Sequence, residues 1–330
     1  MSHGIMSQRI GFLLVLLLCA CVIPSSAQQL VTDIAVSGSP SGVAVNPANN
    51  RIYVSLSTST GFAVAVIDGS TNAVIDTVAV AQAFVITVNI ANGRVYTAGC
   101  NFAQNFTCGV TVIDGATDAV ITTIPFKEIT EGIGIQGIAV NPKTNRIYVS
   151  DDNNLKVQVI DGYTNTVIGH IRMDRQEFLG LAVDTSTNQI AATVNGNQLA
   201  VINGSTNTIT RIKVGTFNAN VAVDSLTGRA YVTNETFAPS TVGVVDLATS
   251  TVMANVPTGN NPFGVCVDPK SDLIFVTNKG DGTVAVVDGK TNTKTGSVTV
   301  PSNFIDVNPV TKLLYTSDDS GADVVHVISE

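Results

Sequence analysis

Histidine is scarce in this sequence, although it is the side chain that most often transfers protons or ligates metals near neutral pH. Three histidines occur among 330 residues, and two of them, His170 and His326, follow the apolar N-terminal segment. A general base or a metal-bound water must lie within hydrogen-bonding reach of a substrate. The repeat described below predicts that His170 lies on a fourth strand and His326 on a third strand, so we expect neither side chain to point into a common channel mouth. We therefore predict no catalytic residues, no metal site and no cofactor, and we expect that the protein is not an enzyme.

Charged residues make up only 13% of the chain, and several of them gather in two long segments between repeats. We expect these segments to form the main contact region for a ligand; the alternative is that their side chains are solvated loop residues. The candidate binding residues are Lys127, Glu128, Glu131, Arg172, Asp174, Arg175 and Glu177. The acidic pairs at 151–152 and 318–319 match no calcium-loop spacing, so we expect them to be exposed hairpin tips; the alternative is that they bind a cation.

Two cysteines, Cys100 and Cys108, flank a short segment between two expected strands. We predict that they face each other across a hairpin and form a disulfide, as is typical of oxidising compartments. The alternative is a pair of free thiols. A third cysteine, Cys266, stands where most other repeats carry alanine, and we expect it to be buried and unreactive.

An internal repeat positions all of these residues. An Asn or Asp recurs at intervals of 43, 52, 43, 40, 44 and 40 residues. The recurring residues are Asn46, Asn89, Asn141, Asp184, Asp224, Asp268 and Asn308. A repeat of this length is typical of one four-stranded β-propeller blade. The seven units therefore predict an all-β fold, a seven-bladed β-propeller.

Each repeat predicts four short strands, rich in Val, Ile, Thr and Tyr. In the third repeat we expect them at residues 137–141, 146–150, 157–160 and 167–171. An Asn-Pro or Asp-Pro turn follows the first strand in four repeats, and Asp-Gly turns follow the third strand. Five of the six tyrosines lie seven residues after the recurring Asn or Asp, which indicates one repeated structural role.

Residues 231–234 read Tyr-Val-Thr-Asn, and residues 275–278 read Phe-Val-Thr-Asn. These tetrapeptides resemble the signature of the YVTN family of seven-bladed β-propeller repeat proteins. The resemblance covers about residues 30–330 and implies radially packed sheets around a central channel. It implies little about activity. The chain contains no tryptophan, and so departs from quinone-dependent propeller dehydrogenases, whose blades carry tryptophan docking motifs.

The seventh repeat lacks a fourth strand, because the chain ends after its third. Residues 30–36 align instead with the fourth strand of the first repeat, residues 74–80. We predict that this N-terminal strand pairs with the C-terminal blade and closes the ring, since an open ring would leave unpaired strand edges.

Residues 1–27 have the pattern of a secretory signal peptide: Arg9, an apolar run, and Ser-Ser-Ala before a cleavage point. The apolar run is too short to span a bilayer. A lipobox ending at Cys21 is the alternative, and it would leave a lipid anchor. We expect residues 28–330 to form a single propeller domain that is secreted, periplasmic or held at the cell envelope.

Loop lengths distinguish the two faces of the expected propeller. The turns after the first and third strands have constant lengths, whereas the other connections vary and share one face. Variable connections in repeat proteins commonly form the binding face. The first strands are expected to line the mouth of the channel with Ser41, Gly42, Phe84, Gly137, Leu179, Asn220, Phe263, Gly264, Asn303 and Phe304, none of them charged.

The net charge of −8 argues against nucleic acid as a partner, because phosphate neutralisation dominates such binding. We expect a monomeric, non-catalytic binding or scaffold protein whose unknown partner is a protein, peptide or glycan. The alternative is a lactonase-like propeller hydrolase, which would need carboxylates with His or Arg at the channel mouth.

Overall fold

Every regular element of the described chain is a β-strand. The computed structural model describes residues 1, 28–101, 107–126, 134–174, 180–194, 196–235, 240–318 and 320–330. Across these ranges there are 28 strands and no helix, and hence no helix able to cross a membrane. The signal-peptide prediction for residues 1–27, including Cys21, lies outside the described residues apart from Met1.

The strands form seven antiparallel sheets of four strands each, the blades of a β-propeller, as predicted. Blade 1 contains β2 (Ser39–Asn46), β3 (Arg51–Thr58), β4 (Gly61–Asp68) and β5 (Ala73–Val80). Blade 2 contains β6 (Val85–Asn89), β7 (Arg94–Asn101), β8 (Thr107–Asp114) and β9 (Val120–Phe126). Blade 3 contains β10 (Ile138–Asn141), β11 (Arg146–Asp151), β12 (Lys156–Asp161) and β13 (Thr166–Arg172). Blade 4 contains β14 (Leu181–Asp184), β15 (Gln189–Val194), β16 (Gln198–Asn203) and β17 (Ile209–Lys213).

The remaining three blades repeat this order of strands from the channel outward. Blade 5 contains β18 (Asn218–Asp224), β19 (Arg229–Asn234), β20 (Thr241–Asp246) and β21 (Thr251–Pro257). Blade 6 contains β22 (Pro262–Asp268), β23 (Leu273–Asn278), β24 (Thr283–Asp288) and β25 (Thr293–Thr299). Blade 7 contains β26 (Ile305–Asn308), β27 (Leu313–Asp318), β28 (Val324–Ser329) and, as its outermost strand, β1 (Leu30–Ala35).

The N-terminal strand closes the ring, as predicted. β1 pairs antiparallel with β28, from Leu30 opposite Ile328 to Ala35 opposite Val324. The seven hydrophobic clusters each join residues of two neighbouring blades, and one of them joins blades 7 and 1. The ends of the chain are therefore held by the same kind of packing as every other blade interface.

The repeated tyrosine fills the space between blades. Tyr53, Tyr148 and Tyr315 are fully buried, and burial of an aromatic ring contributes about 1.5–3 kcal/mol. The hydroxyl can also reach the next blade: Tyr53 Oη donates to Gly115 O at 3.1 Å. Both effects explain why five of the six tyrosines occupy one position of the repeat.

The threonine of the tetrapeptide joins the first strands of neighbouring blades. Thr233 Oγ1 donates to Phe263 O at 2.8 Å, from blade 5 to blade 6. Thr277 Oγ1 donates to Asn303 O at 2.7 Å, from blade 6 to blade 7. The strands approach so closely that a Cβ at Gly264 would lie 2.3 Å from Asn303 O. These bonds brace the channel wall near its mouth.

Arginines at the start of second strands bind the following blade. They lie at the face formed by the turns after first and third strands, which we call the uniform face. Arg51 Nη1 donates to Gly115 O at 3.1 Å and to the Asp118 carboxylate at 2.8 Å. Arg94 and Arg229 donate to the equivalent carbonyls of their next blades at 2.5 and 2.6 Å. These arginines are structural. We call the opposite face, with the connections of unequal length, the variable face.

Candidate functional site

Three half-buried phenylalanines meet at the mouth of the channel on the variable face. The ring centroid of Phe304 lies 5.7 Å from that of Phe84 and 5.3 Å from that of Phe263, both in edge-to-face arrangements. Lys279 Nζ lies 4.8 Å from the ring centroid of Phe263, within the range of a cation–π contact. The mouth therefore carries an aromatic cluster built from blades 2, 6 and 7.

A cleft of about 400 Å³, which we call the mouth cleft, opens beside this cluster. Its lining combines aromatic and aliphatic side chains with neutral hydrogen-bonding ones, chiefly Ser41, Phe62, Phe84, Gln136 and Asn303. Among the residues that the structure describes, no charged one lines it. Both the volume and the mixture of apolar and polar groups are typical of small-molecule sites.

A smaller cleft of about 120 Å³ lies over the inner ends of the first strands. Gly42, Gly137, Asn220 and Phe304, all expected at the mouth, line it. Leu179, also expected there, lies outside the described residues. The sequence did not indicate that Phe62, from a third strand, and Gln136, from a connection, line the mouth cleft.

One carboxylate, Asp306 on β26, lies in the wall between blades 7 and 1. Its Oδ2 accepts the N–H of Val45 at 2.8 Å, and its Oδ1 accepts the N–H of Val307 at 2.8 Å. Desolvation raises the pKa of Asp306 to about 6, although both hydrogen bonds favour the ionised form. The equivalent positions carry Ala44, Thr87, Ala139, Ala182, Ala222 and Cys266. A charge at a position that is otherwise neutral was the signal that could have revealed it.

The predicted cysteine pair is at disulfide-bonding distance. Cys100 and Cys108 stand opposite each other in the β7–β8 pair, with sulfur atoms 1.99 Å apart. Cys100 also lines the mouth cleft, so the bond supports one of its walls. Cys266 is buried, and burial raises the pKa of its thiol well above the usual value.

The predicted charged contact region is described only in part. Lys127, Glu128, Glu131, Arg175 and Glu177 lie outside the described residues. Arg172 ends β13 and is exposed. Asp174 is exposed too, but it forms an ion pair with Arg211 of β17 and so joins blades 3 and 4.

Three of the four acidic hairpin residues, Asp151, Asp152 and Asp318, are buried, so the expectation of exposed tips is wrong for them, and Asp319 lies outside the described residues. Asp151 is fully buried, and its Oδ2 accepts the N–H of Gln158 Nε2 at 2.9 Å. Asp318 is also buried, with its Oδ2 3.7 Å from His326 Nε2. Both aspartates are the last residues of second strands, where the tetrapeptide carries Asn, and they point into the hairpin rather than away from it.

The fold defines this protein as a seven-bladed β-propeller, and the described residues that line its two mouth clefts are uncharged. No protein-family model matches the sequence, and no curated protein matches it. A solved structure titled Kuenenia stuttgartiensis hydrazine synthase is similar, with a TM-score of 0.75 and 16% sequence identity. The similarity covers 88% of this chain and 96% of that one. At this identity the likeness shows the propeller fold alone.

Proposed function

We propose that the protein is an exported, non-catalytic propeller of the YVTN repeat type that binds a neutral oligosaccharide in its mouth cleft. The observation that carries this proposal is the composition of the described lining: aromatic rings beside Ser, Asn and Gln, with no charged residue among them. Serine hydroxyls and side-chain amides both donate and accept hydrogen bonds, as sugar hydroxyls do. The faces of Phe62 and Phe84 offer apolar area for the C–H face of a sugar ring.

Export is supported by the leader pattern of residues 1–27 and by the cysteine pair, since disulfides persist in oxidising compartments. The YVTN assignment is supported by the roles of its residues. The tyrosine packs between blades, the threonine joins first strands, and Asn234 Nδ2 donates to Thr241 Oγ1 at 2.9 Å across the hairpin.

A lactonase-like hydrolase is the second candidate, and Asp306 is the observation that favours it, because a carboxylate with a raised pKa can serve as a general base. Against it, Asp306 does not line either mouth cleft, and both of its oxygens accept backbone N–H groups. The described residues that line these two clefts include no histidine, arginine or carboxylate. The geometry therefore supports binding better than hydrolysis.

The test is calorimetric titration of residues 28–330 with neutral trisaccharides of glucose and of N-acetylglucosamine. We expect binding of at least one, and about a tenfold loss of affinity in Phe84→Ala. Phe217→Ala is the matched control, because Phe217 is an exposed phenylalanine that does not line the mouth cleft. Absence of binding, or equal losses in both variants, would refute the proposal. Turnover in a lactone screen that Asp306→Asn abolishes would support the hydrolase instead.

A further inference from the structure

An arginine, a tyrosine and a carboxylate meet at the interface between blades 1 and 2. Arg51 Nη1 lies 2.8 Å from each oxygen of the Asp118 carboxylate, and it also donates to Gly115 O at 3.1 Å. The Tyr53 hydroxyl donates to the same carbonyl. Gly115 and Asp118 are the second and fifth residues of the turn that begins at position 114 of blade 2. The arginine of this interface is therefore bound by a carboxylate from the next blade.

The interface between blades 3 and 4 has the arginine and the tyrosine but lacks the carboxylate. Arg146 and Tyr148 stand at the equivalent positions of blade 3, whereas the fifth residue of the blade-4 turn is Asn207. The Arg146 side chain forms no hydrogen bond or ion pair with any other described residue. The Tyr148 hydroxyl is buried, and it has no hydrogen-bond partner among the residues that the structure describes. Both groups are donors that a ligand oxygen could satisfy.

A gap between blades 3 and 4, which we call the interblade gap, adjoins these donors. It measures about 140 Å³, and Arg146, Tyr148 and Asn207 are among its lining residues. Val159 and Ile168 supply an apolar part of the wall. Sites for drug-sized molecules are at least about twice as large, so the gap fits a ligand of only a few non-hydrogen atoms.

The arginines of two other interfaces are bonded although their neighbouring turns also carry Asn in place of Asp. Arg94 donates to a backbone carbonyl of blade 3 at 2.5 Å, and Arg229 donates to one of blade 6 at 2.6 Å. Arg146 makes no such bond to Gly204 O, the equivalent carbonyl of blade 4, although Gly204 also lines the gap. The guanidinium group of Arg146 therefore keeps donors that its counterparts have already used.

A neighbouring carboxylate, Asp161, does not occupy this guanidinium group. Asp161 stands opposite Arg146 in the β11–β12 pair, and its Oδ1 accepts the N–H groups of residues 163 and 164 at 2.8 and 3.1 Å. Asp68 stands opposite Arg51 in the same way, and Arg51 nevertheless binds Asp118. An aspartate in this place is therefore compatible with a second carboxylate on the arginine.

We propose that the interblade gap binds a short-chain monocarboxylate, whose carboxylate takes the place on Arg146 that Asp118 takes on Arg51. The planar guanidinium group matches the two oxygens of a carboxylate. The Tyr148 hydroxyl donates to the bound carboxylate, and Val159 and Ile168 contact the alkyl part. The inference goes beyond the proposed function, because it concerns a site at another blade interface, and neither depends on the other.

The experiment compares the melting temperature of residues 28–330 in sodium acetate and in sodium chloride, each at about 100 mM and neutral pH. A ligand that binds only the folded state raises the melting temperature. We expect the value in acetate to exceed that in chloride by about 2 °C or more, which we call the acetate rise. Arg146→Gln should abolish the rise, because the variant loses the charge, and Tyr148→Phe should reduce it.

Asn207→Asp tests the proposal from the opposite direction, because it supplies the carboxylate from the chain itself. Asn207 has a φ of 59° and Asp118 a φ of 60°, so aspartate fits this turn position. We expect the variant to show no acetate rise, since its own carboxylate occupies the site. Asn165→Asp is the matched control: it makes the same change in the turn of blade 3, next to Arg94, which is already bonded. This control should keep the full acetate rise.

General effects of acetate on protein stability act on wild type and variants alike, so they cancel in these comparisons. An acetate rise that persists in Arg146→Gln or in Asn207→Asp would overturn the proposal. A larger rise in inorganic phosphate of equal ionic strength would overturn the assignment to carboxylates. Phe84→Ala should keep the acetate rise, which separates this test from that of the mouth cleft.

Discussion

Asp33, near the start of the described chain, contacts His326, four positions before its last residue, with 2.7 Å between Oδ1 and Nδ1. The two residues are 293 positions apart and stand opposite each other in the β1–β28 pair. On its other side, His326 Nε2 lies 3.7 Å from Asp318 Oδ2. The imidazole thus lies between carboxylates of two flanking strands at the place where the ring closes.

The first prediction concerns this closure. A protein of residues 37–330, which lacks β1, should melt far below one of residues 28–330, because the edge of β28 loses its whole ladder. Asp33→Asn is the control, since it keeps the strand and removes only the charge. Asp33 is half exposed, so that change should cost less than about 1 kcal/mol. Equal melting temperatures for the truncated and full-length proteins would show that β1 does not stabilise the ring.

The second prediction assigns opposite effects to one substitution at equivalent positions. Tyr53→Phe should lower the free energy of unfolding by about 1 kcal/mol, because its buried hydroxyl donates to Gly115 O. Tyr148→Phe should leave stability unchanged or raise it, because the Tyr148 hydroxyl is buried without a hydrogen-bond partner among the described residues. Urea unfolding of both variants measures the difference. Changes of the same sign and size would contradict the assignment of these hydroxyls.

The third prediction concerns pH. The pKa of Asp306 is raised to about 6 in the folded protein, so the folded state holds this proton more tightly than the unfolded state does. Its contribution to stability is therefore present at low pH and is lost as pH rises from about 4 to about 6. Relative to wild type, Asp306→Asn should gain up to about 3 kcal/mol across that window.

Melting temperatures of both proteins from pH 4 to pH 7.5 provide the measurement. The carboxylates whose pKa values are lowered, such as Asp68 and Asp184, titrate equally in both proteins and cancel in the comparison. The amide forms different hydrogen bonds from the carboxylic acid, and the change in stability that results from this difference does not depend on pH. Parallel curves for the two proteins would contradict the raised pKa.

The fourth prediction concerns the disulfide. Replacing Cys100 and Cys108 together by serine should lower the free energy of unfolding by about 2–3 kcal/mol, on the chain-entropy account of a short loop. Because Cys100 lines the mouth cleft, the same variant should bind neutral trisaccharides more weakly. Cys266→Ala, which removes the remaining described thiol, is the control for nonspecific effects of losing a cysteine. A double variant as stable as wild type would exclude a stabilising disulfide.

Much of the architecture could be predicted because the relevant signals are local and recur. In blade 3 the expected strand at residues 137–141 is β10, Ile138–Asn141, and that at 167–171 is β13, Thr166–Arg172. Apolar runs, turn residues and the recurring tyrosine specify each blade separately. The last blade lacks a fourth strand at the C-terminus, and one extra strand is present at the N-terminus. These two features together specified how the ring closes.

The candidate sites were less predictable, because they depend on contacts between blades. Phe84 and Phe304 are 220 residues apart in sequence, yet they touch at the mouth. No periodic pattern indicates that Asp306 accepts a hydrogen bond from Val45, or that Arg146 and Asn207 line one gap. The burial of Asp151 and Asp318 was not predicted for the same reason.

The sequence by itself determined the number of blades, the strands within each and the pairing that closes the ring, since periodicity is written along the chain. Only the tertiary structure decided which residues that depart from the repeat pattern come into contact between blades. It also decided whether a polar side chain points into a hairpin or into solvent. Those outcomes follow from the angle and spacing at which neighbouring sheets pack, which no single repeat encodes.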